Sequence, residues 1–315
     1  MLNRRHLRIK ILQALYAFEQ SKDNNVARAE KELLHSIQKM YEMYLFLMLL
    51  MTDIQEVAVR KIEDGKKKKL PTPEDLNPNE RFVNNKLLAQ LQSNRELKSL
   101  SEKGKVNWMG EGELLRRLYR ILLDTTEYQA YMAAPTTDYA ADKEVIIRVF
   151  KRHLINAPTL HDFFEEKSIF WVDDLDLVAS MVIKTFKSFE ENSDEFQPML
   201  PLWKDPEDEM SFVKVLFRKT VAQNDEHMDL IHKHTDNWEV DRIALIDIIL
   251  MRMALSEGRE FSEIPVKVTL NEYIEISKYY STPKSNTFIN GVLDKLFEEL
   301  KTSGKIKKVG RGLIT

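Results

Sequence analysis

The chain has 315 residues and a formal net charge of −3, with 43% apolar and 31% charged residues, a composition that excludes an intrinsically disordered protein. It contains no cysteine, which excludes disulfide frameworks, thiolate metal sites and cysteine nucleophiles and favours a reducing, cytoplasmic setting. Only nine glycines and ten prolines are present, so long helices are expected rather than a many-stranded sheet.

The N-terminal segment predicts a first helix over about Arg4 to Gln20. Leu7, Ile11 and Leu15 recur at the four-residue spacing of one helical face.

The N-terminal segment lacks the apolar stretch and small-residue cleavage site of a signal peptide, so we predict none. The richest apolar run, residues 44–51, is far shorter than the roughly 20 residues that a membrane-spanning helix needs. We therefore expect no membrane association.

A second long helix is predicted over about residues 26–64, ending where Gly65 and a lysine run meet several prolines. Further helices are expected at about 80–100 and 113–133. Beyond Pro135, a shift of 67 positions aligns Trp171 with Trp238 and Asp174 with Asp241. The identities are few, so it stays open whether the middle of the chain is a diverged duplication of the later helical segment.

The C-terminal block predicts four more helices. One covers about 207–233, another about 240–257, and a third begins at Pro265 and runs through Tyr280. Ser281 is expected to cap the last helix. Its strict four-residue stripe consists of Phe288, Val292, Leu296 and Leu300. The lysine-rich segment 301–315 is expected to be a mobile tail.

Signatures of catalysis are missing from the sequence. It has no glycine-rich phosphate loop in a strand–turn–helix setting, and we predict no catalytic residue and no cofactor. His227, His232 and His234 are spaced by five and two, which does not place two rings on one helical face. We therefore interpret them as solvated histidines near a helix end and predict no metal site.

The start of the first helix is the strongest candidate for a binding site. Arg4, Arg5 and Arg8 lie where the helix dipole already carries partial positive charge, an arrangement that an anion such as a phosphate would stabilise. Several such contacts would give salt-dependent nucleic-acid affinity. On composition alone, an exposed terminus without a ligand fits as well. The complete candidate set for RNA binding is Arg4, Arg5, His6, Arg8, Lys10 and Tyr16, in which His6 and Tyr16 are expected to stack on unpaired bases.

A second candidate site lies between the last two helices. Tyr280 and Phe288 flank the loop STPKSNT, which contains Lys284. Aromatic side chains at a helix junction are either ordinary core residues or anchors of a protein interface. Sequence alone leaves both interpretations open.

Three motifs, in order, resemble the NusB family of transcription antitermination factors. QALYAFEQ follows the basic start and is similar to the first family helix. DNWEVDRIALIDIILMRMALSE resembles the Trp–Asp–Arg segment of the family. IPVKVTLNEYIEISKYYSTPKSNTFINGVLDKL, the longest of the three, resembles the family's most distinctive stretch.

The resemblance implies an all-α fold of two or more packed helical bundles. It places a NusB-like core at 1–20 and 206–300, with residues 21–205 as an additional helical region. It also implies a non-enzymatic role: binding to boxA-type RNA of ribosomal RNA operons together with NusE, a small-subunit ribosomal protein, within an antitermination complex. Under this resemblance the arginines of the start contact RNA, and Tyr280, Lys284 and Phe288 contact the partner. His6 and Lys284 depart from the common family pattern, in which arginine and an acidic residue stand at these positions.

Two other functions compete with this one. A NusB-like domain also precedes the catalytic domain of some RNA cytosine methyltransferases, but these need a cysteine nucleophile and an α/β domain, and this sequence has neither. A helical scaffold in ribosome assembly, without sequence-specific RNA binding, would use the same partner surface. Binding of a boxA-type RNA, with and without the partner, distinguishes the scaffold from the antitermination factor.

Overall fold

The computed structural model describes residues 2–21, 25–235 and 243–313, and within these ranges the regular structure is entirely helical. The predicted all-α fold is thereby confirmed. None of the described helices is both long and apolar enough to cross a membrane. The helices are α1 (Arg4–Gln20), α2 (Val26–Lys66), α3 (Pro73–Leu76), α4 (Lys86–Ser93), α5 (Arg95–Gly104), α6 (Gly112–Leu123), α7 (Thr126–Ala133), α8 (Tyr139–Val149), α9 (Pro158–Lys167), α10 (Leu175–Ser188), α11 (Pro206–Ala222), α12 (Asn224–His234), α13 (Leu245–Glu260), α14 (Val266–Tyr280) and α15 (Ser285–Thr302).

The chain divides into two compact units. Unit 1 comprises residues 1–37 and 203–315, and unit 2 comprises residues 38–202. The sequence analysis predicts a wider additional region, residues 21–205. Trp238 and Asp241, one half of the aligned pairs, lie outside the described residues. The duplication therefore stays a prediction.

Unit 1 is organised around α13, which packs against α1, α11, α12, α14 and α15. Every residue of α13 from Ile249 to Gly258 is buried, so this helix is surrounded on all sides rather than on one face. Since this run includes Arg252 and Glu257, both of them buried, charged side chains enter the centre of the unit and need partners there.

Local sequence explains how α1 begins. The Asn3 side chain accepts a hydrogen bond from the backbone N–H of His6 (3.1 Å), and Nδ1 of His6 accepts one from the backbone N–H of Asn3 (3.3 Å). This reciprocal cap satisfies two backbone donors that the helix leaves unpaired. Leu7, Ile11 and Leu15 are buried as the predicted stripe required, and the predicted bounds of α1 are confirmed.

Unit 2 has an aromatic core around Phe46 of α2. The Phe46 ring makes edge-to-face contacts with Trp108 and Trp171 at centroid distances of 5.3 and 5.8 Å. Both indole N–H groups donate to backbone carbonyls of α2, Trp108 to Phe46 (2.9 Å) and Trp171 to Lys39 (2.6 Å). These two bonds fix the segments that carry the tryptophans against α2.

Several helix boundaries differ from the predicted ones. The helix expected over about 207–233 is two helices, α11 and α12, which meet at Gln223, where the backbone leaves the helical region (φ −99°, ψ 19°). The break allows α12 to pack against α13 and α15, whereas α11 packs against α1 and α13. The expectation that Ser281 caps the last helix is wrong. Ser281 follows the last residue of α14, and Lys284 directly precedes the first residue of α15.

The segment expected to be a mobile tail has defined contacts in its described part. Helix α15 continues to Thr302, and Ile306 is buried. The Val309 N–H donates to the Ser262 carbonyl (3.1 Å), and the Lys308 ammonium donates to the Phe261 carbonyl (2.9 Å). Burial lowers the pKa of Lys308 to about 8. Two groups of the tail thus satisfy carbonyls just after α13.

Two helical glycines in unit 1 should respond oppositely to replacement by alanine. A Cβ at Gly258 of α13 would lie 2.5 Å from a ring carbon of Phe297, whereas a Cβ at Gly291 of α15 would meet no atom of the described residues within 4 Å. We expect Gly258→Ala to lower the free energy of unfolding by about 1–2 kcal/mol, because overpacking outweighs the gain in helix propensity. Gly291→Ala should raise it by about 0.5–1 kcal/mol. Urea unfolding followed by circular dichroism measures both, and equal effects of the two variants would contradict this packing.

Candidate functional site

Arg4 and Arg5 are the accessible cations at the start of α1. The Arg4 guanidinium donates to both carboxylate oxygens of Asp208 on α11 (2.8 and 3.1 Å). Arg5 donates to both oxygens of Glu272 on α14 (2.7 and 2.8 Å). Their side chains are 37% and 44% exposed. Ion pairs this close to solvent contribute only about 0–1 kcal/mol, so an incoming phosphate can exchange with these carboxylates at small cost.

Arg8 has a different environment. Its side chain is 3% exposed, and it donates two hydrogen bonds to the Glu257 carboxylate (2.6 and 2.7 Å), which is fully buried. Although burial opposes charge, the Glu257 carboxylate raises the pKa of Arg8, which stays cationic. The guanidinium fork faces the interior of unit 1. Arg8 is therefore withdrawn from the set expected to contact RNA, because its hydrogen-bonding groups do not reach the surface.

Glu257 of α13 collects further donors. The Thr269 hydroxyl donates to one of its oxygens (2.8 Å), and the Tyr273 hydroxyl donates to the other (3.0 Å), both from α14. Burial and the Glu257 charge raise the pKa of Tyr273 well above its ordinary value, so this phenol remains a donor. The Arg8–Glu257 ion pair and these two hydroxyl groups join α1, α13 and α14. All four side chains are hydrogen-bonded, as a buried charge requires.

The remaining candidates at the start of α1 divide in the same way. Lys10 is 3% exposed, so its ammonium group is not placed to meet a phosphate, and this expectation is also withdrawn. Burial and the neighbouring Arg5 lower the pKa of His6, which leaves its ring neutral at pH 7. Tyr16 is 40% exposed. Of the six predicted residues, four keep access to solvent, and Arg4 and Arg5 supply the positive charge.

The second candidate site, between α14 and α15, is a tight turn. The Ser285 hydroxyl donates to the Asp247 carboxylate of α13 (2.6 Å), and the Ser285 N–H donates to the Thr282 carbonyl (3.0 Å). Lys284 is exposed at the tip of this turn. Tyr280 and Phe288 are each half-buried, so part of each ring packs inside and part faces out. The turn thus presents all three predicted partner-binding residues from one helix junction.

A groove of about 1010 Å³ adjoins this turn, with Lys284, Phe288 and Lys295 among its lining residues. Asp247 also lines it, and sequence reasoning missed this residue. One carboxylate oxygen of Asp247 accepts from Ser285, while the other is buried and has no hydrogen-bond partner among the described residues. A buried acceptor of this kind is stabilised by a donor from a bound molecule. The single acid within the apolar run IALIDIIL was the available signal.

The three histidines of α12 have separate environments. His227 is fully buried, and neither ring nitrogen is hydrogen-bonded to a residue that the structure describes; burial, with Arg259 and Arg252, lowers its pKa to about 4. Its interpretation as a solvated histidine is wrong. His234 instead pairs with Glu299 (2.7 Å). No group of three or more potential metal-ligating residues occurs in the described parts of the chain.

Comparison with known proteins identifies relatives of this chain. A family model described as NusB family matches residues 178–298. A Transcription antitermination protein NusB of Salinibacter ruber is 44% identical over 139 residues, which are 42% of this chain and 86% of that protein. Its namesake from Chloroherpeton thalassium is 45% identical over 115 residues, 35% of this chain and 54% of the relative. A third Transcription antitermination protein NusB, from Natranaerobius thermophilus, is 33% identical over 89 residues, which are 28% of this chain and 64% of that protein. No solved structure matches the chain.

Alanine substitutions of the arginines should separate the buried from the exposed ion pair. We expect Arg8→Ala to lower the free energy of unfolding by about 3–5 kcal/mol, because it leaves the Glu257 carboxylate buried without its cation. Arg5→Ala should cost at most about 1 kcal/mol, because its pair is open to solvent. Urea unfolding of both variants at pH 7 measures the difference. Equal losses would show that Arg8 is not the buried partner of Glu257.

Proposed function

The chain belongs to the NusB family, and on this basis we propose that it is a transcription antitermination factor that binds boxA-type RNA of ribosomal RNA operons in complex with NusE. Proteins of this family are non-enzymatic, and so is this one. Its work is to hold an RNA and a second protein together within the antitermination complex, in a cytoplasmic setting. The observation that carries the RNA half of the proposal is the pair of exposed arginines at the capped start of α1.

The RNA-contacting site is centred on Arg4 and Arg5. Their carboxylate partners, Asp208 and Glu272, hold the guanidinium groups at the surface without burying them. Arg5 pairs with Glu272 through Nε and Nη2, and when a phosphate replaces this carboxylate the bidentate geometry is kept, because both anions match the guanidinium fork. His6 and Tyr16 supply rings for unpaired bases, and a neutral His6 ring is suited to stacking. Arg8 acts indirectly, by fixing α1 in place.

The partner-contacting site is the groove beside the α14–α15 turn. Phe288 supplies a half-exposed ring, Asp247 a buried oxygen that accepts no hydrogen bond from the described residues, and Lys284 and Lys295 two cations. This combination favours a polypeptide that brings an apolar side chain, a hydrogen-bond donor and acidic groups. NusE is the partner that the family suggests.

Removal of the two exposed arginines should weaken RNA binding. We expect Arg4→Ala/Arg5→Ala to reduce the affinity for a boxA-type oligoribonucleotide at least about tenfold, because each charge-assisted contact contributes more than about 1 kcal/mol. The dependence of log affinity on log salt should flatten by about 1.4, since two phosphate contacts on a single strand are lost. Fluorescence anisotropy with the full chain and its partner measures both quantities.

The matched control is Arg28→Ala/Lys31→Ala on α2. Both residues are exposed and belong to unit 1. They follow the C-terminal end of α1, which lies roughly 25 Å from the start of that helix. This variant removes the same charge and should leave the RNA affinity within about twofold. If the two double variants bind RNA equally, the assigned site is wrong. If the wild-type chain ignores boxA-type RNA but binds the partner, the scaffold function replaces antitermination.

Truncation of the aromatic anchor should weaken partner binding. We expect Phe288→Ala to reduce the affinity for NusE about tenfold or more, because an aromatic side chain in an interface groove commonly contributes over 1 kcal/mol. Val268→Ala is the control: Val268 is 43% exposed on α14 but lies roughly 18 Å along the helix from Tyr280. Isothermal titration calorimetry measures both variants. Unchanged affinity for Phe288→Ala, with circular dichroism showing an intact fold, would place the interface elsewhere.

A further inference from the structure

Unit 2 contains a groove that the family's RNA and partner sites do not include. It has a volume of about 650 Å³ and lies between the second half of α2 and α6, with the loop 107–110 at its edge. The α2 side consists of Asp53, Glu56, Val57, Arg60 and Lys61. The α6 side consists of Gly112, Leu115, Arg116, Tyr119 and Arg120. Both sets follow the spacing i, i+3, i+4, i+7, i+8, so each is one continuous helix face.

The charge of this groove is predominantly positive. Four cationic and two acidic side chains line it. On α6, Arg116, Arg117 and Arg120 all reach the single carboxylate of Glu113, at 3.1, 3.3 and 3.4 Å. One carboxylate neutralises one of three guanidinium groups, which leaves an excess of two positive charges on this helix. All these side chains are more than half exposed, so the pairs are weak and readily exchanged.

The groove also offers apolar surface beside the cations, whereas its two aromatic rings, Tyr119 and Trp108, are buried. The Lys61 ammonium lies over the Tyr119 ring, 5.4 Å from its centroid. Met109, in the loop that closes the edge, is 88% exposed, although the neighbouring Trp108 is buried and bonded to α2. An exposed thioether next to guanidinium groups gives a soft face for a base beside a site for its phosphate.

We propose that this groove of unit 2 binds single-stranded RNA through its phosphates, as a second contact surface separate from the start of α1. Two features favour a nucleic acid over an acidic polypeptide. Arg116 and Arg120 lie about 6 Å apart along α6, a step comparable with that between phosphates of an extended strand, and their forks bind phosphate bidentately. The exposed Met109 lies beside them as a contact for a base. The proposal rests on RNA being the ligand of this protein but not on the site at α1.

Asp53 of α2 lies in this groove and opposes an anion there. Burial, with the neighbouring Glu56, raises its pKa to about 7, while Arg60 acts in the other direction. Lys61 on the same helix and Arg116 and Arg120 across the groove are the other charged groups that line it. At pH 8 the Asp53 carboxylate is mostly charged, so its removal should favour phosphate binding. This gives a variant that gains affinity, which structural damage does not produce.

The test is the binding of a fluorescein-labelled 20-residue oligouridylate to the full-length chain at pH 8, by fluorescence anisotropy at several salt concentrations. We expect Arg116→Glu/Arg120→Glu to weaken binding at least tenfold and to flatten the salt dependence. Asp53→Asn should strengthen binding about two- to fivefold. The control is Lys184→Glu/Lys187→Glu on α10: it reverses two exposed charges of the same unit that do not line the groove, and should change affinity less than twofold.

The outcomes separate this inference from the proposed function. If both charge-reversal variants weaken binding equally, or if Asp53→Asn has no effect, the groove is not the site and the inference is overturned. If Arg4→Ala/Arg5→Ala weakens binding while the groove variants do not, the site at α1 stands without this one. Loss of poly-glutamate binding by Arg116→Glu/Arg120→Glu, with oligouridylate affinity unchanged, would assign the groove to an acidic polypeptide instead and overturn the RNA assignment.

Discussion

The buried ion pair of Arg8 and Glu257 is the interaction on which the architecture of unit 1 depends. Its charges lie at the centre of the unit, 3% and 0% exposed, and such a pair is tolerated only when every oxygen and nitrogen finds a partner. Thr269 and Tyr273 complete the set from α14. Because the four side chains come from α1, α13 and α14, the network fixes how these three helices meet. It thereby positions the start of α1.

The neighbouring arginines show how a few residues along one helix acquire opposite environments. Arg4 and Arg5 lie at the exposed start of α1, where carboxylates of α11 and α14 pair with them and leave them accessible to solvent. A weak, exposed ion pair keeps a guanidinium group in place yet releases it to a stronger anion. The buried pair cannot be exchanged in this way, because removing either partner leaves a charge in a low-dielectric interior. Whether an arginine of α1 stabilises the fold or stays accessible to an anion therefore depends on its depth and not on its residue type.

Each unit carries positive charge on a surface of its own, although the chain as a whole has a net charge of −3. In unit 1 Arg4 and Arg5 each pair with a carboxylate, and the partner of Arg5, Glu272, also lies 3.6 Å from Arg8. In unit 2 three arginines of α6 share Glu113, so the cationic excess is local and uncompensated. Local imbalance, rather than the total charge, decides where an anionic polymer is attracted. The family relatives match only part of this chain, and the groove of unit 2 lies outside the residues that the family model matches.

The sequence by itself determined the all-helical class, the bounds of the first helix and the family. The stripe of Leu7, Ile11 and Leu15 fixed α1 and its buried face, because periodicity reports directly which side of a helix is apolar. The tertiary structure alone decided which of the predicted cations are available: Arg8 and Lys10 are buried, whereas Arg4 and Arg5 are not. A charge is buried only where distant segments supply its partner, and Glu257 lies 249 positions from Arg8. The sequence also could not predict the groove of unit 2, because its two faces come from helices about fifty residues apart that only packing brings together.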